Sequence, residues 1–400
     1  MIIIGIGLRY KSSIDQPTLK TFYNPTTSCK ILKYSSDHHH PSNTNELKYC
    51  EDLIHWEIGN LLIVSCDGGR KDWNTVMGPL RNPNPRGKLY IHHLDRPSSS
   101  STTNESKDNL YSLQLIGFPI ESDFHPLGIE LYPQDQFTAR LFVVNHRRDR
   151  SVIEVFQIRT PKENEIQVQV KWLFTLTDPL LNTPNSILAF NSNSLLVTND
   201  HFINRRQYGA LGAILHSIET IFRLPGGNVI SLEFEDFGQE SAQVKIHHLT
   251  FPNGIAMTQD RSMLIIATST PMKLLSYQIH HPDSNLNPIN FSFLDSRQLN
   301  FGPDNLSIDA QDRLIISGHP NAPKIFLWVF NSNLFPPPGS LISLLNLQNG
   351  FQSELEDLFQ DDGEFFMTSS TGLIIKDQLE NKMKLLASGL YQIGLLECVN

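Results

Sequence analysis

A short step at the mouth of an apolar strand pattern recurs along this chain, and it limits the fold more than any other feature. The steps are Glu51-Asp52-Leu53, Leu127-Gly128-Ile129, Asn185-Ser186-Ile187, Asn253-Gly254-Ile255 and Asp304-Asn305-Leu306. Each opens an apolar run, then a polar turn, then a second run, as in ILAFNSNSLLVTN and LSIDAQDRLIIS. Their first residues lie 76, 58, 68 and 51 positions apart. A strand unit repeated at about 40 to 50 residues or more points to propeller blades around an axis. On that reading the steps occupy equivalent places on the innermost strands, so their side chains converge on a central channel. Four of the five carry a carboxylate or carboxamide oxygen there. Hard oxygen donors converging on a closed, rigid scaffold are what calcium requires.

The bulk properties agree with this reading. The 400 residues exceed the usual size of a single core, but a propeller distributes its core between repeated sheets, so one such unit is acceptable. A formal charge of −9, with no run of Lys or Arg to follow a phosphate backbone, argues against nucleic-acid binding. The same charge disfavours anionic membranes and favours cations at a focused site. Short runs of β-branched and aromatic residues separated by Pro, Asn, Asp, Ser and Gly give an all-β expectation.

Helical periodicity is scarce, and its best candidate is Gln207 to Phe222, where Ala, Leu and Ile recur at helical spacing and would cover the channel mouth. Gly209 and Gly212 leave a pair of strands open as the alternative there. Residues 37–45 and 95–109 read as solvated loops. His38, His39 and His40 lie in the first, but neighbours on a polar loop rarely converge on a metal.

The amino terminus, MIIIGIGLRYK, has an apolar run shorter than a secretory core and no basic residues before it, so it reads as a weak or truncated signal. The four cysteines lack metal-knuckle spacing. Cys29 and Cys398 sit near opposite ends, where a propeller closes its ring, and a disulfide there would clasp the first and last blades. Cys50 and Cys66 flank a hairpin centred near Gly59 and would either pair across it or remain buried thiols. Sequons at Asn104, Asn290 and Asn305 are compatible with a secreted glycoprotein, although Asn305 is already claimed by the axial site.

At the level of motifs, CEDL from Cys50, FHPLGI from Phe124, LFVVNH from Leu141, LVTNDHF from Leu196, FPNGI from Phe251, DNLSID from Asp304 and GHPNAPKIF from Gly318 resemble the blade motifs of the paraoxonase/arylesterase family. The resemblance runs from about Cys29 onward. It implies a six-bladed β-propeller over residues 29–400, with 1–28 as an amino-terminal segment, a truncated signal or anchor. It also implies two axial calcium ions and hydrolysis of lactones, aryl esters and phosphotriesters. Cys29 and Cys398 match the family's clasp.

Carried over by position, the catalytic calcium of such a protein would be held by Glu51, Asn185, Asn253, Asp304 and Asn305, which all match in residue type. The ion would act as a Lewis acid on the carbonyl. The second, structural calcium would use Asp52 and the backbone of Ile129, but Ser186 stands where the family has an aspartate, so that ion is in doubt. The family's catalytic histidine is replaced by Leu127, which cannot take a proton. Its partner falls on His146, which is present. His125, two residues before Leu127 and on the same face if the segment is extended, is one replacement base, and Asp304 is another. His201 and His319 match motifs near the channel and are expected to line the pocket or stabilise turns.

No G-x-S-x-G, H-E-x-x-H or G-x-x-x-x-G-K pattern supports a rival chemistry. Two functions remain. One is a calcium-dependent arylesterase or lactonase with a relocated base, acting on a small ester or lactone, with peripheral lipid association left open. The other is a calcium propeller that has lost catalysis and serves as a binding module.

Overall fold

The run Thr138–His146 carries four consecutive apolar residues, Leu141 to Val144, and all four are buried. Side chains of an extended strand alternate between faces, so a sheet with such a run must be covered on both sides. Leu141 and Val143 accordingly join one apolar cluster with Ile63 and Ile91, while Phe142 and Val144 join another with Ile187 and Val197. The same arrangement repeats around a ring. The computed structural model describes residues 28–33, 47–94, 110–161, 167–236, 240–280, 289–376 and 382–399, and among them six antiparallel meanders form the blades of a β-propeller.

The blades start from inner strands Cys50–Trp56, Pro126–Pro133, Pro184–Asn191, Pro252–Met257, Gly302–Ile308 and Ser369–Lys376. Six apolar clusters, one between each pair of adjacent blades, make up the core. Each buried Leu, Ile, Val or Phe in them contributes about 1.5–3 kcal/mol. The sixth blade is completed by the earliest described strand. Ser28–Leu32 pairs antiparallel with Leu395–Val399, placing Cys29 opposite Cys398, and these two cysteines form a disulfide. Cys50 and Cys66 also face one another across their hairpin and are bonded.

In every blade the ladder between inner and second strand slips at the step. The pairing jumps from Pro126 to Ile129, Pro184 to Ile187, Pro252 to Ile255, Pro303 to Leu306 and Ser369 to Gly372, with a smaller slip from Cys50 to Asp52. An irregularity of this kind frees two residues from the pleat and re-aims their side chains. Proline, which cannot donate to a ladder, is tolerated at the first position of such an edge strand. Glycine in the step serves close approach. A Cβ on Gly128 would lie 2.4 Å from the Asn185 carbonyl, and one on Gly254 would lie 2.6 Å from the Asp304 carbonyl.

Hydroxyls on second strands tie neighbouring steps together. Ser65 accepts from the Asp52 N–H and donates to the Leu127 carbonyl at 2.6 Å. Thr198 does the same between Ser186 and Asn253, and Ser388 between Thr371 and Glu51.

Two helices interrupt the meanders. Helix α1, Ala210–Phe222, follows the left-handed pair Tyr208 and Gly209, so the periodicity seen from Gln207 onward is helical and the two-strand alternative does not occur. Helix α2, Ala322–Phe330, is absent from the sequence expectation. Asn321 caps it by accepting from the Lys324 N–H, Pro323 sits in its first turn, and Ile325 and Trp328 bury against Leu390 and Tyr391. Among the described residues no helix is long and apolar enough to cross a membrane. Residues 1–27, His38 to His40, Asn104 and residues 95–109 lie outside the described residues.

Candidate functional site

The re-aimed step residues meet at one end of the channel. Glu51, Asn185, Asn253 and Asp304, with Leu127, line a cavity of about 70 Å³, and Asn305 lies buried beside Glu51. The three asparagine amides are each held by their nitrogen. Asn185 Nδ2 donates to Asp200 Oδ2 at 3.2 Å, Asn253 Nδ2 to Asp304 Oδ1 at 2.6 Å, and Asn305 Nδ2 to Glu51 Oε1 at 2.8 Å. Their carbonyl oxygens therefore point the other way. Asn185 Oδ1, Asn253 Oδ1, Asn305 Oδ1 and Glu51 Oε2 are all buried without a hydrogen-bond partner.

Four orphaned acceptors on the step residues would each cost about 1–3 kcal/mol if nothing positive met them. Burial, and then repulsion from Asp52 and Asp304, pushes the Glu51 carboxyl well above the usual carboxylate range. Both facts describe a set of oxygens arranged for a cation. The donors are hard and mixed, carboxylate with carboxamide, and they fit calcium. Among the described residues no three His, Cys, Asp or Glu side chains converge as a metal group, so the amide oxygens are indispensable to that fit.

Asp52 is different. Its Oδ1 accepts from the Leu53 N–H and the Thr371 hydroxyl, and its Oδ2 from the Ile129 N–H at 2.8 Å. Burial still raises it to about 6. The Ile129 amide thus donates to Asp52, and Ser186 Oγ supplies no charge. With a hydroxyl in place of a carboxylate at Ser186, this second set offers calcium one charge, Asp52, where the first offers two, Glu51 and Asp304.

The histidines named from the sequence separate into two groups. His319 lines the cavity. Its Nε2 lies 3.0 Å from Asp304 Oδ2, and its buried Nδ1 has no partner. His125, His146 and His201 do not line it. The His125 ring lies between Asp67 Oδ2 and the Pro83 carbonyl, each at 3.0 Å, and packs on Trp73. It precedes the strand that starts at Pro126, so the simple alternation that would align it with Leu127 does not hold. His146 contacts the Thr75 hydroxyl through Nδ1 and the Pro184 carbonyl through Nε2 at 2.7 Å. Burial, and then the Arg206 charge, lowers it to about 3. His201 is held by Asp200 and Thr220 and stacks on His216 with ring centroids 3.9 Å apart.

Several contributors escape a reading of the sequence. The sixth step, Ser370-Thr371, brings hydroxyls instead of carboxylates, with Ser370 donating to Asp304 Oδ2 at 3.0 Å. Its spacing after Asp304 follows the repeat and is the signal that would have found it. The cavity is roofed by Ala322, Ile325 and Phe326 of α2 and by Val76 and Met77, not by α1, which reaches only Val76 through His216. Arg70 also lines it. A larger cavity of about 580 Å³ opens at the other end of the channel, where Asp52, His55, Glu130 and Lys376 lie. It holds none of the orphaned oxygens except the neighbourhood of Asn305, so size is a poor guide to the chemistry here.

The sequence profile described as "Arylesterase" matches residues 80–383. Among curated proteins, serum paraoxonase/arylesterase 2 of Canis lupus familiaris is 27% identical over 267 residues, covering 65% of this chain and 67% of the relative. Serum paraoxonase/arylesterase 1 of Mus musculus is 26% identical over 308 residues, covering 74% of each. Serum paraoxonase/arylesterase 2 of Rattus norvegicus is 27% identical over 311 residues, with 77% and 78% covered.

Proposed function

Because this chain belongs to the arylesterase family, we propose that it is a calcium-dependent hydrolase of carboxylic esters, aryl esters or lactones, working in the cavity at the Glu51 end of the channel. The observation that carries this reading is the set of four buried, unpartnered oxygens on Glu51, Asn185, Asn253 and Asn305. With Asp304 they would hold the ion. Bound calcium supplies Lewis-acid polarisation of a scissile carbonyl.

The rest falls to the protein's own groups. His319, not His125 or His146, is the base that the geometry favours. Its Nε2–H donates to the Asp304 carboxylate, which fixes the tautomer and leaves the buried Nδ1 without a partner, as the acceptor of a proton from water. Ser370, donating to the same Asp304 oxygen, holds that carboxylate in place. Val76, Met77, Leu127, Phe251, Ile325 and Phe326 give the cavity apolar walls, suited to an aryl or alkyl group and to excluding bulk water. The two disulfides favour an oxidising, secretory compartment.

The binding-module reading rests on one residue, Leu127, which occupies the cavity wall where an imidazole would be needed for the dyad expected from the family. The deciding experiment is a panel of lactones, aryl esters and phosphotriesters assayed with and without a calcium chelator. Chelator-sensitive turnover supports hydrolysis. Calcium retention with no turnover on any substrate leaves the binding module.

A further inference from the structure

Arg70 is 4% exposed, yet it has no ion-pair partner among the described residues. Its Nη2 donates to the Pro126 carbonyl at 3.0 Å and its Nε to the Tyr49 carbonyl at 3.3 Å. Nη1 has no hydrogen bond to any described residue. Buried guanidinium groups are normally paired with a carboxylate, because an isolated charge is expensive to remove from water. Here two neutral carbonyls fix the plane of the group, and Arg70 lines the cavity with Leu127 and Asn74.

The surroundings do not neutralise it. Glu51 is near enough to feel the charge but makes its contact with Asn305 instead. On the function proposed above, Glu51 and Asp304 are committed to a metal ion. Lys71 lies 4.1 Å from the centroid of the Trp328 ring, and Trp328 packs on Tyr391. Arg205 fills the space that a side chain at Gly78 would take, and both Arg70 and Arg205 act on the Tyr391 hydroxyl. Of the charged residues that line the cavity, Glu51 and Asp304 are the ones assigned to the ion, which leaves the Arg70 charge for an anion.

We infer that Arg70 is a specificity-determining residue that binds a free carboxylate on the substrate, so that the preferred esters are half-esters of dicarboxylic acids or lactones bearing a carboxylate. This inference rests on the hydrolase reading and narrows its substrate class. A planar carboxylate accepts from a guanidinium edge more strongly than any neutral group. The apolar residues beside Arg70 would hold the chain that separates the carboxylate from the scissile ester. Arg70 takes no part in the bond changes. Water adds to the acyl carbon, the acyl C–O bond breaks, and the departing oxygen keeps the electron pair and gains a proton, giving a dicarboxylate and an alcohol or phenol.

The test compares mono-4-nitrophenyl adipate with 4-nitrophenyl hexanoate, which match in chain length and differ in the terminal charge. Wild-type protein is expected to show the higher kcat/KM on the adipate ester. Arg70→Leu should lower the adipate-to-hexanoate ratio by roughly tenfold to a hundredfold, the range for a hydrogen bond to a charged group. Arg70→Lys should fall between. A wild-type ratio of one or less, or an equal loss on both esters in both variants, overturns the inference and makes Arg70 a structural residue. If neither ester is hydrolysed, the hydrolase reading fails separately. Calorimetric titration with adipate and with 1,6-hexanediol then decides: adipate binding that weakens in Arg70→Lys upholds the anion site, and no adipate binding rejects it.

Discussion

The Thr371 hydroxyl donates a 2.8 Å hydrogen bond to Asp52 Oδ1, joining the inner strands of the sixth and first blades. With the Leu53 and Ile129 amides also donating to this carboxylate, Asp52 is supplied by the protein, whereas Glu51, one residue away, keeps a buried oxygen with no donor. Adjacent acids in one step are therefore set up for different partners.

One calcium ion per chain is the expected stoichiometry, measured by native mass spectrometry or metal analysis after dialysis. Chelation should lower the melting temperature, since an ion that binds only the folded chain stabilises it by about 2.7 kcal/mol at a hundredfold excess over Kd. Glu51→Ala should abolish that response. Two tightly held ions would show that the hydrogen bonds to Asp52 yield to metal. No ion and no effect of chelation would remove the basis of the site.

His319→Gln should lower kcat by about 10² to 10⁴, the usual contribution of general acid–base assistance, and leave calcium content unchanged. His125→Gln should leave kcat close to wild type, because both ring nitrogens already face Asp67 and Pro83. The reverse order of effects would return the role of base to His125.

Gly254→Ala should cost about 1–3 kcal/mol, as overpacking does, and weaken calcium binding as well. Its Cβ would meet the Asp304 carbonyl at 2.6 Å and the Asn305 Cα at 2.7 Å, so relief requires moving the backbone of two candidate ligands. Gly68→Ala, whose Cβ would find only Lys48 at 3.8 Å, is the control and should be neutral in thermal melts.

Acid stability should carry a contribution from His146. Its folded-state value, about 3, lies below the unfolded value of about 6.5, so the folded protein binds fewer protons in between. The stabilisation is complete above about 6.5 and is lost as the pH falls toward 3, at no more than about 1.4 kcal/mol per pH unit. His146→Gln should flatten the fall in melting temperature between these limits. An unchanged slope would mean that the folded ring takes up its proton at the same pH as the unfolded one.

The blades were legible in the sequence because their second strands, such as Leu141 to Val144, are apolar on both faces, and the cores between sheets demand it. Glu51, Asn185, Asn253 and Asp304 were legible as a converging set because each occupies the same offset before such a run. Ser370 and Thr371 were not, since hydroxyl residues beside glycine read equally well as a turn. Helix α2 was hidden because IFLWVF has the composition of a strand, and only the Asn321 cap and Pro323 mark its start. The aim of His125 was misread because alternation is a property of regular strands and fails before a bulged one. His319 was visible as a motif residue, but its free Nδ1 depends on Asp304 and Ser370, which no spacing reveals. Arg70 stands in a loop with no periodicity at all.

The pairing of Ser28–Leu32 with Leu395–Val399 has a consequence in time. During synthesis, Glu51 emerges early and Asp304 much later, while the sixth blade lacks an outer strand until the last of these residues is made. Five blades without the sixth leave two apolar sheet faces open, and the oxygens of Glu51 and Asn305 cannot yet meet across the gap. A nascent chain therefore has no cation site to fill. On the proposed function the ion would bind only after the circle is joined, and its occupancy would report on completed assembly.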